Sequence, residues 1–348
     1  MVFFSRKIED HVSHLFAKIS SHDITATCVH LRKNGYPFRI GILCDKFQLD
    51  WPLRGVSLST GHLTVNAPVY ASHWIEFNVH SPASIVFMGK SPIVSHWRKL
   101  VIETEPYWKR DQKLKLRAEG LEISFLEKKN HQRKLKTQAT DTKMRQENAE
   151  NEVSLKDTYG IITHSLDQNN VLPKIAAEFL KLDLKREKNQ LSGYMIFDDF
   201  DVSYLFSPYF SDFPKVDGNL QWTFDDMDNL FDAHNERNWK QHLYGKSGFL
   251  KHSELTFQTG GVLHVSGPFS FDDEGYLTAK FQISFLQKTK LLTTLQHLFP
   301  AQERTLETLF FILNSFPQNA DGSSVFSLLI NHGWVKLGFV KLGRLAPL

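Results

Sequence analysis

The chain has 348 residues, 41% hydrophobic and 23% charged, with a formal net charge of +3. That balance excludes wholesale disorder, and the length allows one large β-domain or two ordinary ones. The mild charge leaves no electrostatic footprint for nucleic acid: the one dense basic stretch, Lys128 to Lys136, has no interleaved aromatics to stack on bases and reads as a solvated charge run.

Aromatic residues make up 13% of the chain, and Phe alone supplies 28. Such side chains suit broad sheets, where they pack on a pleated face. No run of eighteen apolar residues occurs, the length a membrane-spanning helix requires. Val2-Phe3-Phe4 is followed at once by Arg6, Lys7, Glu9 and Asp10, so there is no apolar core of a secretory signal.

Residues 1–22 are expected to form an amphipathic helix. Phe4, Ile8, Val12, Leu15, Phe16 and Ile19 share one stripe. Residues 23–126 change to a period of two and predict an N-terminal β-rich half. Phe38, Ile40 and Ile42 alternate, as do Leu63, Val65, Ala67 and Val69. Phe77 with Val79, and Ile85 with Phe87, mark shorter strands. Lys113 to Phe125 reads as a strand pair. Leu114, Leu116 and Ala118 hold one phase and Leu121, Ile123 and Phe125 the other, with Gly120 at the change, where a bulge or turn fits. Residues 127–152 carry almost no apolar side chains and are expected to be a charged linker or insertion.

Residues 153–348 are expected to be a C-terminal β-rich half with helices. Ile175, Phe179 and Leu182 predict a helix over 172–182, and a polar helical stretch is expected over 230–243. Strands are expected from Met195 to Leu205 and around Leu220, Trp222 and Phe224. The strongest alternation is Leu277, Ala279, Phe281, Ile283 and Phe285. It predicts a strand with Leu277, Phe281 and Phe285 buried and with Lys280 and Gln282 in solvent. Asp272-Asp273-Glu274-Gly275 before it is a good hairpin loop. Helices are expected at 291–299 and 302–316, and strands around Val325 to Ile330 and Val335 to Val340. The halves share a loose theme of strands around a Gly and a Pro, compatible with an internal repeat or with ordinary antiparallel sequence.

Catalytic and cofactor motifs are missing: no G-x-S-x-G, H-E-x-x-H, P-loop or G-x-G-x-x-G. The expectation is therefore a protein that is not an enzyme, with no cofactor and no metal. His11 and His14 stand at i, i+3, but no third ligand accompanies them at the right spacing. Asp198, Asp199 and Asp201, and Asp225, Asp226 and Asp228, lack the glycine turn of a calcium loop and read as turn and edge charges.

Three segments together carry a family resemblance. They are Cys28 through Cys44, with Gly35-Tyr36-Pro37-Phe38-Arg39-Ile40; Val56-Ser57-Leu58 through Val69-Tyr70, with His73 and the Phe77 strand; and the tail from Gly333-Trp334-Val335-Lys336-Leu337-Gly338 to Pro347-Leu348. Phe271 to Leu277 is similar to the turn before a late strand in the same family. In this order they resemble the domain-of-unknown-function 2125 family of alphaproteobacteria. The resemblance implies a periplasmic, inner-membrane-associated β-domain, anchored by a transmembrane helix that this chain does not contain. It supplies no reaction and no catalytic residues.

Within that context Cys28 and Cys44 are expected to form a disulfide. Asn34-Gly35 lets the flanking segments fold back, and a bridge suits an oxidising compartment. The alternative is two reduced, buried cysteines. Arg39 is a candidate contact for an anionic ligand, against the plainer reading of a cross-strand ion pair. The fold expected is mainly β with accessory helices: an extended, curved antiparallel sheet with helices covering part of one face. The function expected is a structural or interaction protein of the cell envelope. The alternatives are a lipid-handling protein with an apolar groove and an enzyme with an unrecognised site. The partners expected are lipid or envelope proteins, not nucleic acid.

Overall fold

The computed structural model describes residues 25–34, 38–52, 55–68, 74–87, 91–105, 112–125, 174–203, 213–227, 243–298, 303–314, 324–337 and 340–348. The helix expected over 1–22, all but the last residue of the one expected over 230–243, the stretch 127–152, His11, His14 and Asp228 lie outside the described residues.

Among the described residues, twenty strands join one open antiparallel sheet. The first ten are β1 (Thr25–Val29), β2 (Arg32–Asn34), β3 (Arg39–Cys44), β4 (Lys46–Trp51), β5 (Val56–Thr60), β6 (Leu63–Pro68), β7 (Ile75–Val79), β8 (Ala83–Phe87), β9 (Ile93–His96) and β10 (Lys99–Thr104). These are halves of longer runs, each broken once. β1 pairs β4 while β2 pairs β3, and Thr25↔Asp50 and Asn34↔Gly41 belong to one continuous register. In the same way β3 and β4 together face β6 and β5, and β7 and β8 face β10 and β9. The sheet therefore carries a crease that crosses successive strands.

β11 (Gln112–Phe125) crosses the crease unbroken and pairs with β10 before it and with β9 after it. The two phases of Lys113 to Phe125 are thus one long strand, not two. Gly120, at φ +60°, makes the phase change, a conformation that costs glycine little.

Beyond the crease the chain meanders through long strands. They are β12 (Lys174–Glu187), β13 (Gln190–Phe200), β14 (Val216–Phe224), β15 (Ser247–Phe257), β16 (Val262–Phe271) and β17 (Leu277–Leu286), followed by β18 (Ser324–Asn331), β19 (Trp334–Leu337) and β20 (Val340–Arg344). Each pairs with its chain neighbour. β11 and β12, on either side of the charged stretch, pair directly, so both β-rich halves share one sheet. The helix expected over 172–182 is strand β12. Its Leu180, Leu182 and Leu184 alternate, and each lies opposite an apolar or glycine partner on both neighbours. Tertiary pairing overrides the helical spacing of Ile175, Phe179 and Leu182.

Between β17 and β18 lie two helices, α1 (Lys288–Leu298) and α2 (Glu303–Asn314). Leu291, Leu292 and Leu295 give α1 an apolar side. Leu291, Phe310 and Phe326 form a buried cluster, with Phe257 and Phe285 of the sheet packed against it. Glu303 in the first turn of α2 complements the helix dipole. Gly261, at φ +100°, lets the chain pass under α1, because a Cβ there would stand 2.9 Å from the Leu291 Cα.

On β17, Ala279 and Ile283 are buried, Lys280 and Gln282 are exposed, and Leu277, Phe281 and Phe285 are half-buried rather than buried. The faces are as the alternation predicts. The depth differs because the helices cover only part of the sheet.

Candidate functional site

Cross-strand partners in an antiparallel ladder point to the same face. Following them from strand to strand traces a row through Cys44, Leu63, Val79, Leu100, Ala118, Leu180, Phe197, Gly218, Leu255, Leu263 and Phe285. A second row, through Ile42, Val65, Phe77, Ile102, Leu116, Leu182, Met195 and Leu220, lies beside it. The rows carry no charge.

A similar face exists across the crease. Ala26, Leu49, Leu58, Ile85, Ile93 and Phe125 form one row; Cys28, Phe47, Thr60, Ala83, Ser95 and Ile123 form another. In several of the runs the apolar phase shifts at the crease, though in the run of β7 and β8 it does not: Phe77, Val79, Ala83 and Ile85 keep one phase. β11 changes from Ala118 to Leu121, and the run of β5 and β6 changes from Leu58 to Leu63. Such a shift lets a strand turn a corner while keeping one side inward.

The cysteines show that the two apolar sides meet. Cys28 belongs to one face and Cys44 to the other, and they are joined in a disulfide with Cα atoms 5.5 Å apart. They are not opposite one another in the hairpin: Cys28 faces Phe47 and Cys44 faces Leu63. The bend brings them together, with His30 at φ +52° and the Asp45 amide bonded to the Val29 carbonyl at 3.0 Å. The fold-back at Asn34-Gly35 is only part of the reason for their proximity.

Trp97 closes the crease further along. It is buried, and its Nε1 donates to the Val79 carbonyl at 2.7 Å. Polar side chains collect outside the bend. Asp45 accepts from Arg32, lies 3.2 Å from His30 Nδ1, and is 3.5 Å from His62 Nδ1. The Arg32 hydrogen bond, ahead of the opposing cost of burial, holds the Asp45 carboxyl below its ordinary range.

Most side chains in the long rows are half-buried. Leu116, Leu182, Met195, Leu220 and Leu255 all retain solvent contact, whereas the buried cluster is confined to the helix-covered end. The face is therefore apolar and only partly covered.

Arg39 opens β3, half-exposed, with Nη1 3.3 Å from Glu76 Oε1 on β7. That pair engages its guanidinium at the rim, away from the long rows. Asp199 bonds Lys215 at 3.2 Å and Gln258 at 3.0 Å, and Gln190 donates to Asp225 at 2.9 Å. These carboxylates serve turns and neighbouring strands. One group escaped the sequence reading: His252, Glu254 and His264, whose ligand atoms lie within 4.8 Å of one another. His252 and Glu254 stand two apart on β15, but the register that brings His264 opposite Glu254 carries no sequence motif.

A family model described as an uncharacterized protein conserved in bacteria matches residues 2–346. The chain belongs to the DUF2125 family. No curated protein matches the chain. The match spans both the Gly-Tyr-Pro-Phe-Arg-Ile element and the Trp334 tail, and the DUF2125 description assigns no chemistry. Among the described residues, no helix is long and apolar enough to cross a membrane. The Cys28–Cys44 bridge points to an oxidising, extracytoplasmic location.

Proposed function

We propose that this DUF2125 protein is a non-enzymatic protein of the periplasmic, inner-membrane side of the cell envelope that carries acyl chains of lipids along its creased apolar face. The supporting observation is the unbroken, uncharged row from Cys44 to Phe285, half-buried over much of its length. An acyl chain laid on such a surface gains about 0.8 kcal/mol for each methylene removed from water. The helices α1 and α2 bound the row at one end and the Cys28–Cys44 bridge bounds it at the other. A second reading, an interaction module for envelope proteins, draws on Val325 and Leu329. Both are exposed on the opposite face, where they oppose Ser284 and Lys280.

Native mass spectrometry of the protein isolated from its own envelope, followed by lipid extraction, tests the proposal. The expected result is a co-purifying phospholipid or fatty acid, with binding weakened by Leu182→Lys and unchanged by Gln282→Lys. Protein that leaves the envelope lipid-free, and fails to bind a fluorescent fatty acid saturably, would eliminate the carrier reading and leave the interaction module.

A further inference from the structure

The face opposite the apolar rows holds a group of metal-binding type. Leu255 and Leu263 oppose one another on the apolar side, so the next pair, Glu254 and His264, projects from the other side. His252 joins them, two residues before Glu254 and separated from it by the buried Ser253. One carboxylate oxygen, Glu254 Oε2, stands 3.8 Å from His252 Nε2 and 3.6 Å from His264 Nδ1. Both separations are too long for hydrogen bonds. Among the described residues, these imidazoles are the charged-type neighbours of that carboxylate within ion-pairing distance.

We propose that His252, Glu254 and His264 form a two-histidine, one-carboxylate site for a divalent first-row transition-metal ion. Ligands bound at about 2.0–2.1 Å in tetrahedral geometry stand about 3.3 Å apart. Small side-chain rotations close the observed spacing to that value, with no change in backbone register. The imidazole and carboxylate donors suit zinc, copper or nickel and are a poor set for calcium or magnesium, which take several oxygens. The three ligands sit on paired strands and pre-order the site. At least one coordination position stays open to water or to a group from another molecule. Gln221 and Asn219 lie opposite His252 and Glu254 on β14, and Ser284 lies opposite His264 on β17. These uncharged neighbours place no competing cation at the carboxylate.

The test is calorimetric titration of the metal-free full chain with zinc at pH 7.5. One equivalent should bind to wild type and be lost in the His252→Ala/His264→Ala double variant. Glu254→Gln should weaken it at least tenfold, and His332→Ala should leave it unchanged. Lowering the pH should weaken binding, because protons compete with the metal for the ligand atoms. Equal zinc uptake by wild type and the double variant would overturn the proposal. An independent reading on wild type alone uses copper(II) electron paramagnetic resonance. Hyperfine splitting from two imidazole nitrogens supports the site, and a spectrum without it refutes the site.

Discussion

The two ends of the sheet secure the same kind of surface by different means. At the β16–β18 end, helices α1 and α2 bury Leu291, Phe310 and Phe326 together with the sheet aromatics. At the β1–β6 end no described helix packs on the sheet. There the strands turn a corner, and a disulfide ties one apolar side to the other. One end is closed by packing, which gains stability from buried area. The other is held by a cross-link, which acts by restricting the unfolded chain. The stretch between has neither device, and there most of the apolar rows remain half-buried, with Ala118 and Phe197 buried. Covered and partly exposed apolar surface thus belong to different parts of one continuous sheet.

The packed end should be the most sensitive to truncation. Phe326→Ala leaves a cavity beneath both helices, and a loss of about 3–5 kcal/mol is expected in denaturant unfolding. A loss below about 1 kcal/mol would mean that the helices do not close a real core.

The tied end should respond to redox state. Cys28→Ser/Cys44→Ser removes a loop closure worth on the order of 3 kcal/mol. The oxidised wild type should lose a similar amount on reduction, while the double variant should be indifferent to reductant. Two free thiols in denatured protein from the native host would remove the cross-link from this comparison.

Partial cover within β17 should give effects between core and surface. Phe281 is half-buried and its neighbour Gln282 is exposed on the opposite face. Phe281→Ala is expected to cost roughly 1.5–3 kcal/mol, about half the cost at a fully buried Phe. Gln282→Ala should stay within about 0.5 kcal/mol. Equal effects at the two positions would contradict the assignment of faces.

Acid sharpens the comparison with a smaller effect at each end. Asp45 sits at the crease and Asp272 at the β16–β17 turn. Burial raises the Asp272 carboxyl, but hydrogen bonds from the Tyr276 amide, His332 and the Glu274 amide together hold it below its ordinary value of 3.8. Asp45 is held below the same value, chiefly by Arg32. A carboxyl lowered by folding stabilises the native state above its unfolded pKa and loses that contribution as pH falls through the folded value. Asp45→Asn and Asp272→Asn should therefore be less stable than wild type near pH 6, and the gap should shrink as pH falls below about 4. A gap that does not change with pH would assign the effect to packing.

Much of the fold was legible because half-wetted strands alternate visibly. The β17 pattern and the helices α1 and α2 follow directly from the spacing of Leu277 to Phe285 and of Leu291 to Phe310. β12 misled because Ile175, Phe179 and Leu182 satisfy a helical spacing while Leu180, Leu182 and Leu184 satisfy a strand. Only the neighbours on either side decide between them. In sequence the crease coincides with a glycine or proline at Gly61, Pro82 and Gly120. Elsewhere it is made by His30, Asp45 and the Trp97 region, residue types with no fixed backbone preference for a bend. The His252–Glu254–His264 group was illegible because its third member comes from another strand, and register between strands is a property of the fold.

The chain-neighbour pairing of the meander also bears on how the sheet is assembled. Contacts between successive strands close short loops, so a newly made strand finds its partner already present as synthesis proceeds. The widest gap in the ladder is the one bridged by residues 126–173, between β11 and β12. Loop-closure entropy grows only logarithmically, so halving that connection should raise stability by only about 0.6 kcal/mol. Equilibrium unfolding of an internal deletion would measure it, and a collapse of the transition would give the segment a part in the fold itself. Chain-neighbour pairing lets strands dock in their order of emergence from the ribosome, with the β11–β12 junction as the longest wait and the helical connection from β17 to β18 as the next.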